Sequence, residues 1–565
     1  MEERKQPGSI PVGISNFEKI RRENYYYVDK SELLQELLKT NVPEVTLITR
    51  PRRFGKTLGM SMLQNFFDIR KESRRLFQGL KVSENQKLCA KWMNQYPVLF
   101  LSFKDVDGTS FENAYGMLQF TISQLCIEHA YLSESREIDP AHKEAFERLK
   151  MQRGTLTDIK GSLFIIMKML KKYFGKSVIL LLDEYDVPLA KASSHGYYQQ
   201  MLEVVKAMMS TALKDNNTLK FAVVTGCLKI SKESIFTGTN NFVSDTISNN
   251  RFNEYFGFTQ DEIENMLEEF GQTEKAGVVK EWYDGYHFGA VDVYCPWDVL
   301  NYLSDLQHNS DVKPAGYWKN TSDNAIIRSF IEQKGNAITK KLEILLAGGT
   351  IEQKIEEELT YDYLHSSEEN LWSVLYLTGY LTKAENEIKG DNAGECVALK
   401  IPNVEIREIF QSTILKWFDD HVAGWDCKRL QNAVWNGNDV EITAEMSKLL
   451  RMTISYHDYK EDYYHAFLAG IFAGAGYVVE SNREHGEGRS DVIVLDQRGG
   501  RVAVFEVKYS RTPEKMPEDC ERALAQINTR MYAKEFEDSY DQVFCYGIAF
   551  FKKRCLVKVK EEGQG

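Results

Sequence analysis

The chain has 565 residues, too many for one ordinary core, and its 43% hydrophobic and 27% charged residues are those of a globular protein. A formal net charge of −12 excludes a protein coated in positive charge, so any nucleic-acid contact must come from local basic patches. Nine cysteines without a CxxC or Cys/His cluster at zinc spacing read as reduced thiols of a cytoplasmic protein, and no apolar run approaches the roughly 18 residues of a membrane span.

The first legible element is Val45–Thr49, a β-branched apolar run that predicts a buried strand. It leads into Arg50-Pro51-Arg52-Arg53-Phe54-Gly55-Lys56-Thr57, and a helical pattern follows at Leu58, Met60, Met62, Leu63, Phe66 and Phe67. Strand, GKT loop and helix are the context of a phosphate-binding loop. Backbone N–H groups from Arg53 to Leu58 (Arg53, Phe54, Gly55, Lys56, Thr57 and Leu58) would face phosphate oxygens, helped by the helix dipole. Lys56 would reach the β- and γ-phosphates, and Thr57 would ligate Mg²⁺. The full pattern wants Gly where Arg50 stands, so Pro51 is expected to shape the first turn.

Residues 97–103 and 219–225 read as further strands of the same sheet. Between them, Val178–Leu182 is followed by Asp183 and Glu184, as in a central parallel strand ending in two acids. Asp183 would hold Mg²⁺ through water, and Glu184 would polarise the attacking water. Residues 260–300 read as a short helix followed by the aromatic segment YDGYHFG, a structural turn packed by Tyr283, Tyr286 and Phe288. Residues 320–450 read as mainly helical, with an apolar stripe at Leu371, Val374, Leu375 and Leu377, and carry no legible chemistry.

The C-terminal part changes character. Residues 462–473 predict a helix preceded by Glu461, residues 477–480 a strand, and 481–490 a charged, Gly-containing loop. Residues 491–495 and 502–508 predict two strands joined by the turn Gln497-Arg498-Gly499-Gly500-Arg501. With the turn centred between Arg498 and Gly499, Asp491 lies opposite Glu506, roughly 5 Å away on one face. Two carboxylates so placed can share one Mg²⁺, and Lys508, two residues on, faces the same side. A lysine beside a metal can orient the water nucleophile or offset developing charge. Asp491 and Lys508 as a cross-strand ion pair on a solvated face is the plainer alternative.

The segments RPRRFGKT (50–57), LLLDEYDVPLA (180–190), TGCLKISKESIFTGTNNF (225–242), EYFGFTQDEI (254–263) and WYDGYHFG (282–289) resemble the AAA-ATPase-like family. The resemblance covers about the first half and implies a P-loop AAA-type sheet with helices on both faces, ATP as ligand, and Thr225 as a γ-phosphate sensor; a Thr ending a strand before a turn is the equal alternative. The spacing D-x₁₄-E-x-K in GRSDVIVLDQRGGRVAVFEVKYS (488–510) is similar to the core of the PD-(D/E)XK nuclease superfamily. That likeness implies a restriction-endonuclease-like α/β domain with Asp491, Glu506 and Lys508 as its core. It also implies Glu461 as a first-helix acid, and Gln526 and Tyr532 on the helix after the catalytic strand.

The expected organisation is an AAA-like P-loop domain at 1–260, a helical lid or connector at 261–450 and a nuclease-like domain at 451–565. The expected activity is ATP binding and hydrolysis controlling Mg²⁺-dependent cleavage of nucleic acid, DNA before RNA, in defence or mobile-element biology by analogy. The alternative is an ATP-dependent switch or scaffold whose nuclease fold binds nucleic acid or a protein without cutting. Self-association is left open. Local positive charge stands at Arg50, Arg52 and Arg53, at Arg483 and Arg489, and at Lys552, Lys553 and Arg554; Arg483 and Arg489 flank the expected metal site and are candidate phosphate contacts, with a solvated loop as the commoner alternative.

Overall fold

The computed structural model describes residues 8–39, 42–230, 235–236, 242–318, 341–359 except 343 and 347, 368–384, 396–421 and 427–453, and then 464, 468–472, 477–481, 484–485, 488–489, 491–497, 499–537, 539–551 and 554–560. Contacts divide the chain into two compact units, Met1–Ser322 with Glu352–Glu405, and Asp323–Ile351 with Ile406–Gly565.

The first unit is built on five strands: β1 (Val45–Thr49), β2 (Val98–Ser102), β3 (Val178–Asp183), β4 (Leu219–Gly226) and β5 (Phe242–Asp245). They lie in the order β2-β3-β4-β1-β5, and every pairing is parallel. β1 and β3 are buried along their whole length, which is why both read as unbroken apolar runs rather than alternating ones. β4 runs between them in a register that brings their C-terminal ends level: Ile48 pairs with Thr225, and Leu182 with Val224. Loops leaving β1, β3 and β4 therefore emerge side by side, where ligands bind in open parallel sheets.

The longest helix of this unit, Leu156–Phe174, is delimited by local chemistry. Thr155 and Asp158 form a capping box at its start, and Gly175 closes it at φ +68°. The segment after β5 contains helices Gln260–Glu269, Ala276–Tyr283 and Pro296–His308, with a hairpin of β6 (Tyr286–Phe288) and β7 (Val291–Val293) between the last two. The YDGYHFG segment is thus a strand and turn rather than a turn alone. The stretch expected to be mainly helical also contains an antiparallel pair, β8 (Thr382–Lys383) and β9 (Val397–Lys400), beside the helix Glu368–Leu377.

The second unit carries β10 (Val478–Ser481), β11 (Val492–Asp496), β12 (Arg501–Tyr509), β13 (Gln542–Phe551) and β14 (Arg554–Val559), in that spatial order. Only β12 and β13 pair in parallel, and the crossover that such a pair requires contains the helix Met516–Thr529. Alternation along β11 and β12 separates two cores. Val492, Val494, Ala503, Phe505 and Val507 pack with helices Cys427–Trp435 and Asp439–Thr453. Ile493, Leu495, Val502 and Val504 pack with Ile527, Tyr532 and Phe536. Residues 430–450, read from sequence as connector, thus contribute to this unit's core.

Gly547 sets how closely the crossover helix approaches. It pairs with Glu506, and a Cβ there would stand 2.4 Å from the Cys520 carbonyl oxygen, so only Gly permits this packing. The stretch 481–490, expected as a loop, contains a short antiparallel pairing of Glu484–His485 with Gly488–Arg489.

Candidate active sites

At the end of β1 the chain turns through Arg53 at φ +71° and Gly55 at φ +83° before the helix Lys56–Phe67 begins. A Cβ on Gly55 would meet nothing within 4 Å, so Gly is favoured there for its left-handed backbone and not for space. The buried Lys56 ammonium donates to the carbonyl oxygens of Arg50 and Pro51, both at 2.8 Å, inside the loop's own curve. Thr57, one residue into the helix, donates to Asp183 Oδ2 at 2.8 Å, and Thr225 donates to Asp183 Oδ1 at 2.5 Å. The ends of β3 and β4 and the start of the Lys56 helix are thereby joined on one fully buried carboxylate.

Glu184 follows Asp183 in the left-handed region, at φ +55°. A non-glycine residue held there stores strain, and such strain concentrates at functional sites. Its half-buried carboxyl is raised above the ordinary carboxylate range, first by burial and then by the Asp183 charge.

The arginines of the loop do not form one surface patch. Arg50 is wholly buried; its guanidinium donates to Asp245 Oδ1 at 2.6 Å and to the Thr49 carbonyl at 2.8 Å, and it lies against the rings of Phe256 and Phe288. Burial of a cation this deep is tolerated because a carboxylate meets it. Arg50 is therefore an internal strut and adds no positive charge to the surface. Arg53 stacks over Trp297 at 4.2 Å. Phe54 turns its side chain inward against Tyr286 and Phe288, with ring centroids 4.9 and 5.1 Å away, leaving its backbone as the group available to a ligand. The β6–β7 hairpin thus braces the loop between β1 and the Lys56 helix. Pro51 packs so close to Gly379, at φ +88°, that a Cβ on that Gly would lie 2.9 Å from Pro51.

Beside the loop lies a cavity that opens about 650 Å³ of non-protein space, including its solvent-facing part. Gly55, Leu58 and Gly59 form one wall, and Tyr26, Tyr255 and Phe258 contribute others. Lys30 also lines it and is itself held by the Glu254 carbonyl and Glu262 Oε2, each at 2.6 Å.

Sequence reasoning passed over Tyr185, Asp186 and Asp245. Tyr185 and Asp186 immediately follow the paired acids and are both buried, while Asp245 receives Arg50. The run DEYD, three acids and a tyrosine after an apolar strand, was the available signal for Asp186; nothing local marks Asp245.

In the second unit, β11 and β12 pair as Val492 with Phe505 through Asp496 with Arg501, the register derived from the turn. Asp491 stands one residue before β11 and accepts the Val507 N–H through Oδ2 at 2.7 Å. Lys508 Nζ donates to Glu506 Oε1 at 2.9 Å. Glu506 is fully buried, and its Oε2 has no hydrogen-bond partner among the described residues. Burial first, and then the Asp491 charge, push the Glu506 carboxyl up to about 7. A buried carboxylate with one unmatched oxygen beside a second acid fits a divalent cation. Two protein carboxylates leave the remaining positions to water or substrate; among the described residues no group of three or more His, Cys, Asp or Glu is arranged to hold a metal.

Gln526 is half-buried on the crossover helix. Tyr532 lies beyond the helix end, almost fully buried in the core with Ile493 and Val504, so it packs rather than faces a ligand. Glu461, Arg483, Lys552 and Lys553 fall outside the described residues, as does the side chain of Arg489. Arg554 is exposed at the start of β14.

Comparison with known proteins agrees with this division. Residues 11–236 match the family described as predicted AAA-ATPase, the AAA-ATPase-like family, and residues 459–560 match the PD-(D/E)XK nuclease superfamily. A curated relative, described as an uncharacterized protein in the vnfD 5' region of Azotobacter chroococcum mcd 1, is 24% identical over 555 residues, 96% of either chain. The likeness to that relative therefore runs through both domains and the segment between them. The chain therefore carries an AAA-ATPase-like domain over residues 11–236 and a C-terminal domain of the PD-(D/E)XK nuclease superfamily over residues 459–560.

Proposed function

We propose that this protein binds and hydrolyses ATP in its first unit and cuts nucleic-acid phosphodiester bonds in its second, with cleavage under ATP control. The observation that carries the nuclease half is the gathering of Asp491, Glu506 and Lys508 at one end of the β11–β12 pair. Asp491 and Glu506 would hold a divalent ion, Mg²⁺ or Mn²⁺. When bound, that ion supplies a Lewis acid for a phosphate oxygen and lowers the pKa of a coordinated water. Lys508, already on Glu506, would hold the attacking water or the phosphate in line, a role open to its three donors. Glu461 and Gln526 remain proposed contributors through the family likeness.

In the first unit, Lys56 would exchange its two loop carbonyls for β- and γ-phosphate oxygens, and loop N–H groups from Arg53 to Leu58 would hold the rest. Thr57 and Asp183 fit a Mg²⁺ ion, since both already meet in one hydrogen bond. Glu184 would take the proton of the attacking water, and Thr225 would register the γ-phosphate from β4. The aromatic cavity beside Gly55 suits a purine base. Control of cutting by ATP fits a defence or mobile-element setting, where cleavage must be withheld until needed. DNA is the proposed substrate, and among the described residues no helix is long and apolar enough to cross a membrane.

The test incubates the full chain with single- and double-stranded DNA and RNA, with Mg²⁺ or Mn²⁺, with and without ATP. Metal-dependent cutting that changes with ATP is expected. If the wild type and Asp491→Asn bind metal equally and neither cuts any of these substrates, the nuclease half fails.

A further inference from the structure

Residues 183–186 leave β3 and cross at once to the exit of β4. The Tyr185 N–H donates to the Thr225 carbonyl at 3.0 Å. The Tyr185 hydroxyl donates to the Leu228 carbonyl and accepts the Ile230 N–H, each at 2.9 Å. Asp186 Oδ2 accepts the N–H groups of Cys227 and Leu228 at 2.9 and 3.0 Å. Two consecutive residues thus hold the backbone of Thr225, Cys227, Leu228 and Ile230, and their two side chains bind the part of it that has left β4. The fit is close: a Cβ on Gly226 would stand 2.7 Å from both Asp186 Oδ1 and the Tyr185 ring.

Immediately before this clamp stands Glu184 at φ +55°. A strained backbone persists only where its surroundings over-determine it. On one side Asp183 is fixed by Thr57 and Thr225; on the other, Tyr185 and Asp186 are fixed to the chain after Thr225. Glu184 lies between two anchors, and both lead to the same strand end.

We infer that Tyr185 and Asp186 are positioning residues for Glu184, holding its carboxylate in register with Thr225 so that the water-polarising acid and the γ-phosphate sensor keep one fixed geometry. This rests on the reading of Glu184 as the hydrolytic base. A carboxylate moved by about 1 Å loses on the order of 10²-fold in rate although it still carries its charge. The clamp is therefore expected to act on turnover and not on nucleotide affinity, because the phosphate loop is built from β1 and its helix.

Steady-state Mg²⁺-ATP hydrolysis by the full chain provides the test, with thermal unfolding in parallel. Tyr185→Phe keeps the ring and removes both hydroxyl bonds; kcat should fall about tenfold or more while KM stays within about twofold. Asp186→Ala should do the same, and Asp186→Asn, which keeps one acceptor oxygen, should recover most of the rate. In a Glu184→Gln background, Tyr185→Phe should cost nothing further, since a residue acting through Glu184 has nothing left to position. Loss that is additive to Glu184→Gln, KM rising in step with the fall in kcat, or wild-type rates in both Tyr185→Phe and Asp186→Ala would overturn the inference while leaving Glu184 as the base. If Asp186→Ala does not fold, Tyr185→Phe alone decides. Absence of any ATP turnover by the wild type would instead defeat the hydrolysis reading itself, and the inference with it.

Discussion

The Arg50 guanidinium donates to Asp245 Oδ1 at 2.6 Å, joining the phosphate loop to the end of β5 across 195 positions of sequence. Both side chains are buried, and each supplies the opposite charge that makes the other's burial tolerable. Their partnership explains how a loop with Arg in place of its usual first Gly keeps its shape: the long side chain is drawn beneath the loop and the backbone stays in line with β1, with the Arg50 N–H still donating to the Gly226 carbonyl at 3.1 Å.

Breaking that pair should cost about 3–5 kcal/mol, because either survivor is left as an uncompensated buried charge. Arg50→Ala and Asp245→Ala should each speed hydrogen exchange in β1 and β5. The double variant should lose clearly less than the two single losses added together. Additive losses would show that the two residues stabilise the unit independently.

Lys56 and Glu184 should separate binding from turnover. Lys56→Ala removes the ammonium and should abolish ATP binding, read by calorimetric titration, without unfolding the chain. Glu184→Gln keeps the shape and should retain ATP while hydrolysis falls by about 10²–10⁴-fold. Unchanged affinity in a folded Lys56→Ala protein would remove the phosphate-loop assignment; unchanged turnover in Glu184→Gln would make that residue structural.

The second unit should divide in the same way. Asp491→Asn and Glu506→Gln are expected to weaken Mg²⁺ or Mn²⁺ binding and stop cleavage. Lys508→Ala should leave metal affinity nearly intact and still lose cutting, because its amine makes a contact to Glu506 that an ion can replace. ATP affinity should survive in all three. Equal cutting by wild type and Lys508→Ala would reassign the lysine to stability.

His129 should give the first unit an acid-labile stability. It is buried, with Nδ1 2.9 Å from the Tyr131 hydroxyl and 3.4 Å from Arg70, and burial with the arginine's charge lowers its pKa from 6.5 to about 3. The unfolded chain takes up a proton below about pH 6.5 that the folded chain refuses until about pH 3, so this group costs no stability above pH 6.5. As pH falls below that point, stability should decline by ~1.4 kcal/mol per pH unit from this residue. His129→Gln should flatten the pH dependence between 6.5 and 4. Denaturation midpoints at several pH values check it; parallel pH profiles for the two proteins would refute it.

Local sequence by itself determined the strands and turns on which both clusters stand. The apolar runs of β1 and β3 are continuous because both faces are buried, and Gly55 carries the left-handed turn before the Lys56 helix, so strand, loop and helix could be read without knowing the rest. The β11–β12 register followed from the turn before Arg501, because a two-residue periodicity leaves little freedom once the turn is placed; hence Asp491, Glu506 and Lys508 could be grouped in advance. Tertiary structure alone decided which distant groups meet. Thr225 reaches Asp183 only because β4 lies between β1 and β3, and Arg50 becomes a strut only because β5 delivers Asp245. Tyr286 and Phe288 brace Phe54, Tyr532 enters a core, and Tyr185 with Asp186 grips the exit of β4. These pairings depend on strand order and on which face each side chain is given, and neither is encoded within the few residues around them.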